Sequence, residues 1–138
     1  MARILLVDDE PVVLETLGVL LRSESHEVME IQEGSRAYDM LWSGEQLDLL
    51  ITDIRMSPVD GLQLIKVAKE FRPDMPVLVV SAYLDDATIR KVKELGADHY
   101  VRKPFTSQQV LEALKTVLAG SDAGDVPAAE QADGPPQG

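Results

Sequence analysis

The sequence predicts an open α/β fold in which five parallel strands alternate with five helices, (βα)5, in one doubly wound sheet. Three observations predict it. Short runs such as RILLV, LLIT and PVLVV are apolar almost throughout, as in parallel strands buried on both faces. Longer segments with apolar residues at helical spacing separate them. Five such units are too few to close an eight-stranded barrel, so the sheet stays open, with helices on both faces and right-handed crossovers.

Each element has its own signal. Arg3–Val7 reads as the first buried strand. Pro11 opens a helix carrying Val13, Leu14, Leu17, Leu20 and Leu21 on one face, with proline in the first turn where its missing N–H costs nothing. Glu27–Ile31 alternates and suits an outer strand. A helix follows Gly34 through Trp42, with Ser35 as the expected N-cap. Leu49–Thr52 is the third strand. Gly61–Phe71 is a helix stopped by Pro73, and Pro76–Val80 is the fourth strand. Asp85–Leu95 is a helix with Gly96 as its expected C-cap. Asp98–Arg102 is the fifth strand. Thr106–Leu118 is the last helix, capped by Thr106 or Ser107.

Composition bounds what the chain can do. Its 138 residues suffice for one domain with a core. No apolar stretch reaches the roughly 20 residues of a membrane helix, and MARILLVDDE lacks the features of a signal peptide. Cysteine is absent, which excludes disulfides and thiolate chemistry and is compatible with the cytoplasm. The net charge of −11 disfavours direct binding to nucleic acid. Residues 120–138 hold four acids and no base. They read as a disordered Pro/Gly/Ala-rich tail after a domain spanning 1–119, which itself carries 20 acids and 13 bases.

Chemistry gathers at the strand ends, where open α/β sheets bind ligands. Asp8, Asp9 and Glu10 follow the first strand, Asp53 the third, Ser81 and Ala82 the fourth, and Lys103 and Pro104 the fifth. In the common five-strand order, 2-1-3-4-5, the first and third strands are neighbours, so Asp8, Asp9 and Asp53 share one pocket. Three carboxylates repel one another unless a proton or cation settles them. Oxygen-only ligands on a rigid edge suit Mg²⁺. Lys103 adds a fixed positive charge and Ser81 a hydroxyl. One nucleophilic carboxylate in a cation-lined hole suits phosphoryl transfer.

Over residues 2–119 the chain resembles the receiver domain of bacterial two-component response regulators. The residues that carry the resemblance are the acidic pair in LLVDDE, the aspartate in ITDIRM, the VDG that follows, the serine in VVSA and the YVRKPF ending. The resemblance implies the flavodoxin-like order and makes Asp53 the acceptor of a phosphoryl group from a histidine kinase. It implies that Asp8, Asp9, Asp53 and the backbone carbonyl of Arg55 hold Mg²⁺, and that Ser81 and Lys103 bind phosphate oxygens. Tyr100 matches an aromatic that moves with Ser81, and Lys103–Pro104 a cis peptide. Ala82, Tyr83 and Pro104 form the rim, where Arg55 and Tyr83 are expected to obstruct the hydrolytic water and prolong the acyl phosphate. The implied partners are a sensor histidine kinase or phosphotransfer protein and a downstream protein. The downstream protein would be met through the face from the fourth helix to the fifth (84–118). No DNA-binding module is expected after residue 119, and the implied state is a monomer or a weak phosphorylation-dependent dimer.

One departure concerns the loop after Asp53. The family usually has proline four residues on, whereas here Ser57 takes that place and Pro58 follows. The distance to Gly61 is unchanged, so a different turn is expected. Competing functions fit less well. Aspartate-nucleophile phosphohydrolases carry a second aspartate two residues after the first, and here that residue is Arg55. A flavin mononucleotide carrier needs a glycine- and hydroxyl-rich phosphate loop, and VDDEPVV is acidic. A docking scaffold that takes no phosphate would not need the intact set of Asp8, Asp9, Asp53, Ser81 and Lys103. Alone, each of these has an ordinary reading as a turn, cap or solvated residue; their joint placement separates the readings. His26 reads as a surface residue, His99 as outward-facing or packed on a helix, Trp42 as a partly buried anchor, and Met29, Met40 and Met75 as filler.

Overall fold

Near-continuous apolar strands need cover on both faces, and the computed structural model, which describes residues 1–119, shows how they obtain it. The elements are β1 (Arg3–Val7), α1 (Pro11–Ser23), β2 (Glu27–Ile31), α2 (Gly34–Trp42), β3 (Leu49–Thr52), α3 (Gly61–Phe71), β4 (Val77–Ser81), α4 (Asp86–Glu94), β5 (His99–Arg102) and α5 (Ser107–Leu118). The strands form one parallel sheet in the order β2-β1-β3-β4-β5. The expected (βα)5 architecture and strand order are therefore present. The expectation of a disordered tail, residues 120–138, lies outside the described residues.

Alternation along each central strand sorts the core into two layers. Ile4, Leu6, Leu49, Ile51, Leu78 and Val80 pack with Leu14, Leu17 and Leu21 of α1 and Val110, Leu114 and Val117 of α5. Leu5, Val7, Leu50, Val77 and Val79 pack with α2, α3 and Val92 of α4 on the other face. Every residue of β3 and β4 is buried, whereas the edge strands β2 and β5 are partly exposed. Each fully buried aliphatic side chain contributes about 1.5–3 kcal/mol relative to exposure, so the three central strands are the most strongly anchored part of the sheet.

Local signals were mostly met. Pro11 begins α1. Asp60 and Thr106 close capping boxes with Gln63 and Gln109 at the starts of α3 and α5, and Asp85 caps α4. Leu95 ends α4, and Gly96 follows with φ 107°, a backbone conformation that glycine adopts without a Cβ penalty. The boundaries of β4 differ by one residue, which places Ser81 inside the strand.

Three expectations are corrected. Ser35 is not a cap: α2 starts at Gly34 after Glu33, whose carbonyl accepts from the N–H groups of Arg36 and Ala37. His26 is half-buried, and its Nδ1 accepts the Ala2 N–H at 3.0 Å, tying the N-terminus to the turn before β2. Trp42 is 56% exposed and meets Phe71 at 4.3 Å between ring centres, so it lies over the ends of α2 and α3 and not within the core.

His99 gives a pH test of this packing. Burial pushes its pKa below the ordinary imidazole value of 6.5, and the charge of Lys93 adds to the effect. The fold favours neutral imidazole. Its contribution is therefore complete above the ordinary value and is lost as pH falls through the lowered one. The His99→Gln variant is expected to lose stability less steeply than wild type on acidification below about pH 6.5. Urea unfolding midpoints across that range measure the two slopes, and equal slopes would place the acid sensitivity elsewhere.

Candidate functional site

The strand order reverses direction at β1 and β3: β2 lies outside β1, while β4 and β5 continue from β3. Crossovers leave in opposite directions there, which opens a crevice at the carboxyl ends of the two strands. Val7 pairs with Thr52, and the Asp53 N–H donates to the Val7 carbonyl at 3.0 Å. The residues just past this pair, Asp8 and Asp53, therefore emerge side by side. Both are buried, at 1% and 7% exposure, while Asp9 is exposed.

Lys103 settles the two buried charges. Its ammonium lies 2.8 Å from Asp8 Oδ2, 2.8 Å from Asp53 Oδ2 and 3.2 Å from Glu10 Oε1. The other oxygens of the buried pair are held by backbone: Asp8 Oδ1 accepts the Glu10 N–H at 2.9 Å and Asp53 Oδ1 the Ile54 N–H at 2.6 Å. Burial raises the pKa of Asp8 above the usual carboxylate value, and the charge of Asp53 adds to it; bonds from Lys103 and the Glu10 N–H act against the rise. Burial by itself would lower the pKa of Lys103, but the hydrogen bonds to Asp53 and Asp8 and their charges raise it, so the ammonium stays charged. The arrangement also supplies a cation's needs. One carboxylate oxygen each from Asp8, Asp9 and Asp53 lies within 4.8 Å of the others. All three are hard anionic oxygens, the donor type that Mg²⁺ takes alongside retained waters.

The remaining predicted residues surround this centre. Ser81 is fully buried at the end of β4; its hydroxyl accepts the Tyr83 N–H at 3.0 Å, and its carbonyl accepts the Lys103 N–H at 3.0 Å. Lys103–Pro104 is cis, and so is Ser57–Pro58 in the loop where the turn was expected to change. Tyr100 is half-buried on β5, with the Lys93 ammonium 5.9 Å from its ring centre. The Arg55 guanidinium lies 3.6 Å from the Tyr83 ring centre, a cation–π contact that joins the β3–α3 and β4–α4 loops beside Ala82. An adjoining cleft of about 940 Å³ reaches Asp9, Arg55 and Tyr83 but is not lined by Asp53 or Lys103.

A model of the response regulator receiver domain matches residues 4–115. The chain belongs to that family. This receiver is 32% identical over 126 residues to a chemotaxis protein CheY homolog of Campylobacter jejuni, covering 89% of this chain and 96% of the relative. It is also 32% identical over 120 residues to the transcriptional regulatory protein GlrR of Escherichia coli, covering 87% of this chain but 27% of that protein. It thus spans from about a quarter to just under half of several regulators that it matches. A CheY-like receiver domain structure from Methanospirillum hungatei superposes with a TM-score of 0.81 at 28% identity, covering 86% of this chain and 94% of the other. The receiver therefore has a phosphoacceptor signalling role in a two-component system. Members of the family generally bind Mg²⁺ at an acidic site and interact with histidine kinases and downstream effectors. No helix among the described residues is long and apolar enough to cross a membrane.

Some contributors were not singled out from the sequence. Glu10 was placed after the first strand but given no role, and it is the third carboxylate on Lys103. Gln32 donates its side-chain amide to the Asp9 carbonyl at 3.2 Å, and nothing in its local sequence signals that. Gly61 was matched only as part of VDG. Its N–H donates to the Ile54 carbonyl at 2.8 Å, and a Cβ there would lie 2.0 Å from the Asp53 carbonyl oxygen and 2.7 Å from Ile54 Cα. Those are backbone atoms that cannot swing aside. Gly61→Ala is expected to cost about 1–3 kcal/mol, read as a lowered urea midpoint. Gly44→Ala, whose Cβ would meet nothing within 4 Å, is the comparison and should leave that midpoint nearly in place.

Proposed function

We propose that Asp53 is the phosphoacceptor and that this receiver catalyses its own phosphorylation from a kinase or phosphotransfer-protein phosphohistidine. The observation that carries the reading is the Lys103 ammonium held 2.8 Å from both Asp8 and Asp53 within one carboxylate cluster. An Asp53 carboxylate oxygen attacks phosphorus, forming the O–P bond. The P–N bond breaks, and its electron pair returns to the donor imidazole, which takes up a proton. Asp8, Asp9, Asp53 and the Arg55 carbonyl would hold Mg²⁺, whose chemistry is to neutralise charge on the transferring oxygens. Lys103 and the Ser81 hydroxyl meet the remaining phosphoryl oxygens. The fixed ammonium acts in a partly desolvated site, where it is worth more than in water.

The output follows from the new charge. Movement of Ser81 toward the phosphoryl group, with Tyr100 repacking behind it, would rearrange the α4–β5–α5 face for a downstream protein or for onward transfer. The reading takes residues 1–119 as one signalling domain in the cytoplasm, monomeric or weakly dimeric when phosphorylated. Rim residues Ala82, Tyr83 and Pro104 border the acceptor, and the Arg55–Tyr83 stack stands where the hydrolytic water would enter.

Two experiments test this. Incubation with Mg²⁺ and acetyl phosphate should add one phosphoryl group to wild type by intact mass and none to Asp53→Ala; addition to both would move the acceptor elsewhere. Replacing Arg55 and Tyr83 together by alanine should speed loss of the acyl phosphate by at least about threefold, roughly 0.6 kcal/mol in the barrier. A mass time course after donor removal reads the rate, and an unchanged decay would show that the stack does not screen the site.

A further inference from the structure

The loops that supply the carboxylates and the Arg55 carbonyl are braced from outside the site by one short connection, Gln32–Glu33 between β2 and α2, together with Gly34. On one side, the Gln32 amide donates to the Asp9 carbonyl at 3.2 Å, and the Ile31 carbonyl accepts the Asp8 N–H at 3.2 Å. On the other side, Gly34 is buried against the β3–α3 loop. A Cβ at Gly34 would lie 2.1 Å from the Val59 carbonyl oxygen and 3.0 Å from the Val59 carbonyl carbon. Those are backbone atoms, so relief requires the loop to move by on the order of 1 Å. That loop, residues 54–60, contains Arg55 and is already fixed at its far end by the Gly61 N–H to the Ile54 carbonyl. With both ends closed, a push at Val59 has to be taken up within the loop.

We infer that Gln32 and Gly34 are positioning residues that set the spacing between the Asp8–Asp9 segment and the β3–α3 loop, and with it the Mg²⁺ affinity of the site. The inference rests on the reading of Asp8, Asp9, Asp53 and the Arg55 carbonyl as the Mg²⁺ site. Neither residue reaches the metal. Gln32 acts through Asp9 and Gly34 through Val59. Groups that orient metal ligands typically change affinity by about 10–100-fold when removed.

The test is a Mg²⁺ titration of the full chain followed by amide NMR, alongside urea unfolding without metal. Gly34→Ala is expected to weaken Mg²⁺ binding by about tenfold and Gln32→Ala by about threefold, a fraction of that range because its bond is long and exposed. Ile4→Val is the control for simple destabilisation. Ile4 is fully buried near the start of β1, the end of that strand away from Asp8, and losing a buried methyl group costs stability. It should lower the urea midpoint and leave Mg²⁺ affinity unchanged. Gln32 is exposed, so its variant keeps the test valid if Gly34→Ala does not fold. Wild-type affinity in Gln32→Ala and in any folded Gly34→Ala overturns the brace while leaving the metal site standing. Equal weakening by Ile4→Val overturns it as well, because the effect would then be stability alone. A wild-type chain that binds no Mg²⁺ overturns the site reading and the brace together.

Discussion

Two carboxylates buried side by side would unfold the crevice or take up protons if nothing faced them. In this receiver the answer is one ammonium group. Lys103 lies equally close to Asp8 and Asp53, and backbone N–H groups take their other oxygens. The two buried carboxylates thus have a cation and backbone donors within hydrogen-bonding distance in a place where an uncompensated charge is costly. The surrounding structure can be understood as what brings Lys103, 50 residues away in sequence, to Asp53.

The sheet does this through strand order. β1 and β3 are adjacent and in register at Val7 and Thr52, so the aspartates leave the sheet together. β4 and β5 then extend the sheet on the same side, with Ser81 opposite Arg102 at the top of that pair. Lys103 follows immediately and is fixed by its own N–H to the Ser81 carbonyl. β3 and β4 are buried throughout and β1 from Ile4 to Val7, so Asp8, Asp53 and Ser81 stand at the ends of the most deeply buried strands. α4 is anchored differently, with Val92 its only buried residue. A helix held by little apolar contact can be repositioned at low cost, which suits the face proposed to report phosphorylation.

The loops at the rim are joined to each other as well as to the sheet. Arg55 stacks on Tyr83 across two connections, and Arg102 donates to the Leu84 carbonyl from β5. Below them, Gly61 and Gly34 let the β3–α3 loop lie against backbone at both ends. The site is therefore framed by close backbone approach as much as by side-chain chemistry.

The alternation of strands and helices was legible in the residues alone, because burial on two faces and helical amphipathicity both write a period into the chain. So were the identities at the strand ends, Asp8, Asp9, Asp53, Ser81 and Lys103, since carboxylates, a hydroxyl and a lysine directly after apolar runs have few uses in common other than a shared site. The cap at Thr106 was local and readable from its neighbours, whereas those at Asp60 and Asp85 were not singled out. Contacts between segments distant in sequence emerged only on folding. Glu10 on Lys103, Gln32 on Asp9, Gly34 against Val59 and the exposed Trp42–Phe71 pair leave no local pattern. Ser35 failed as a cap because α2 begins one residue earlier, with the Glu33 carbonyl accepting the Arg36 and Ala37 N–H groups. Periodicity and residue chemistry are properties of neighbours along the chain; the spacing of loops is set by packing between chain segments.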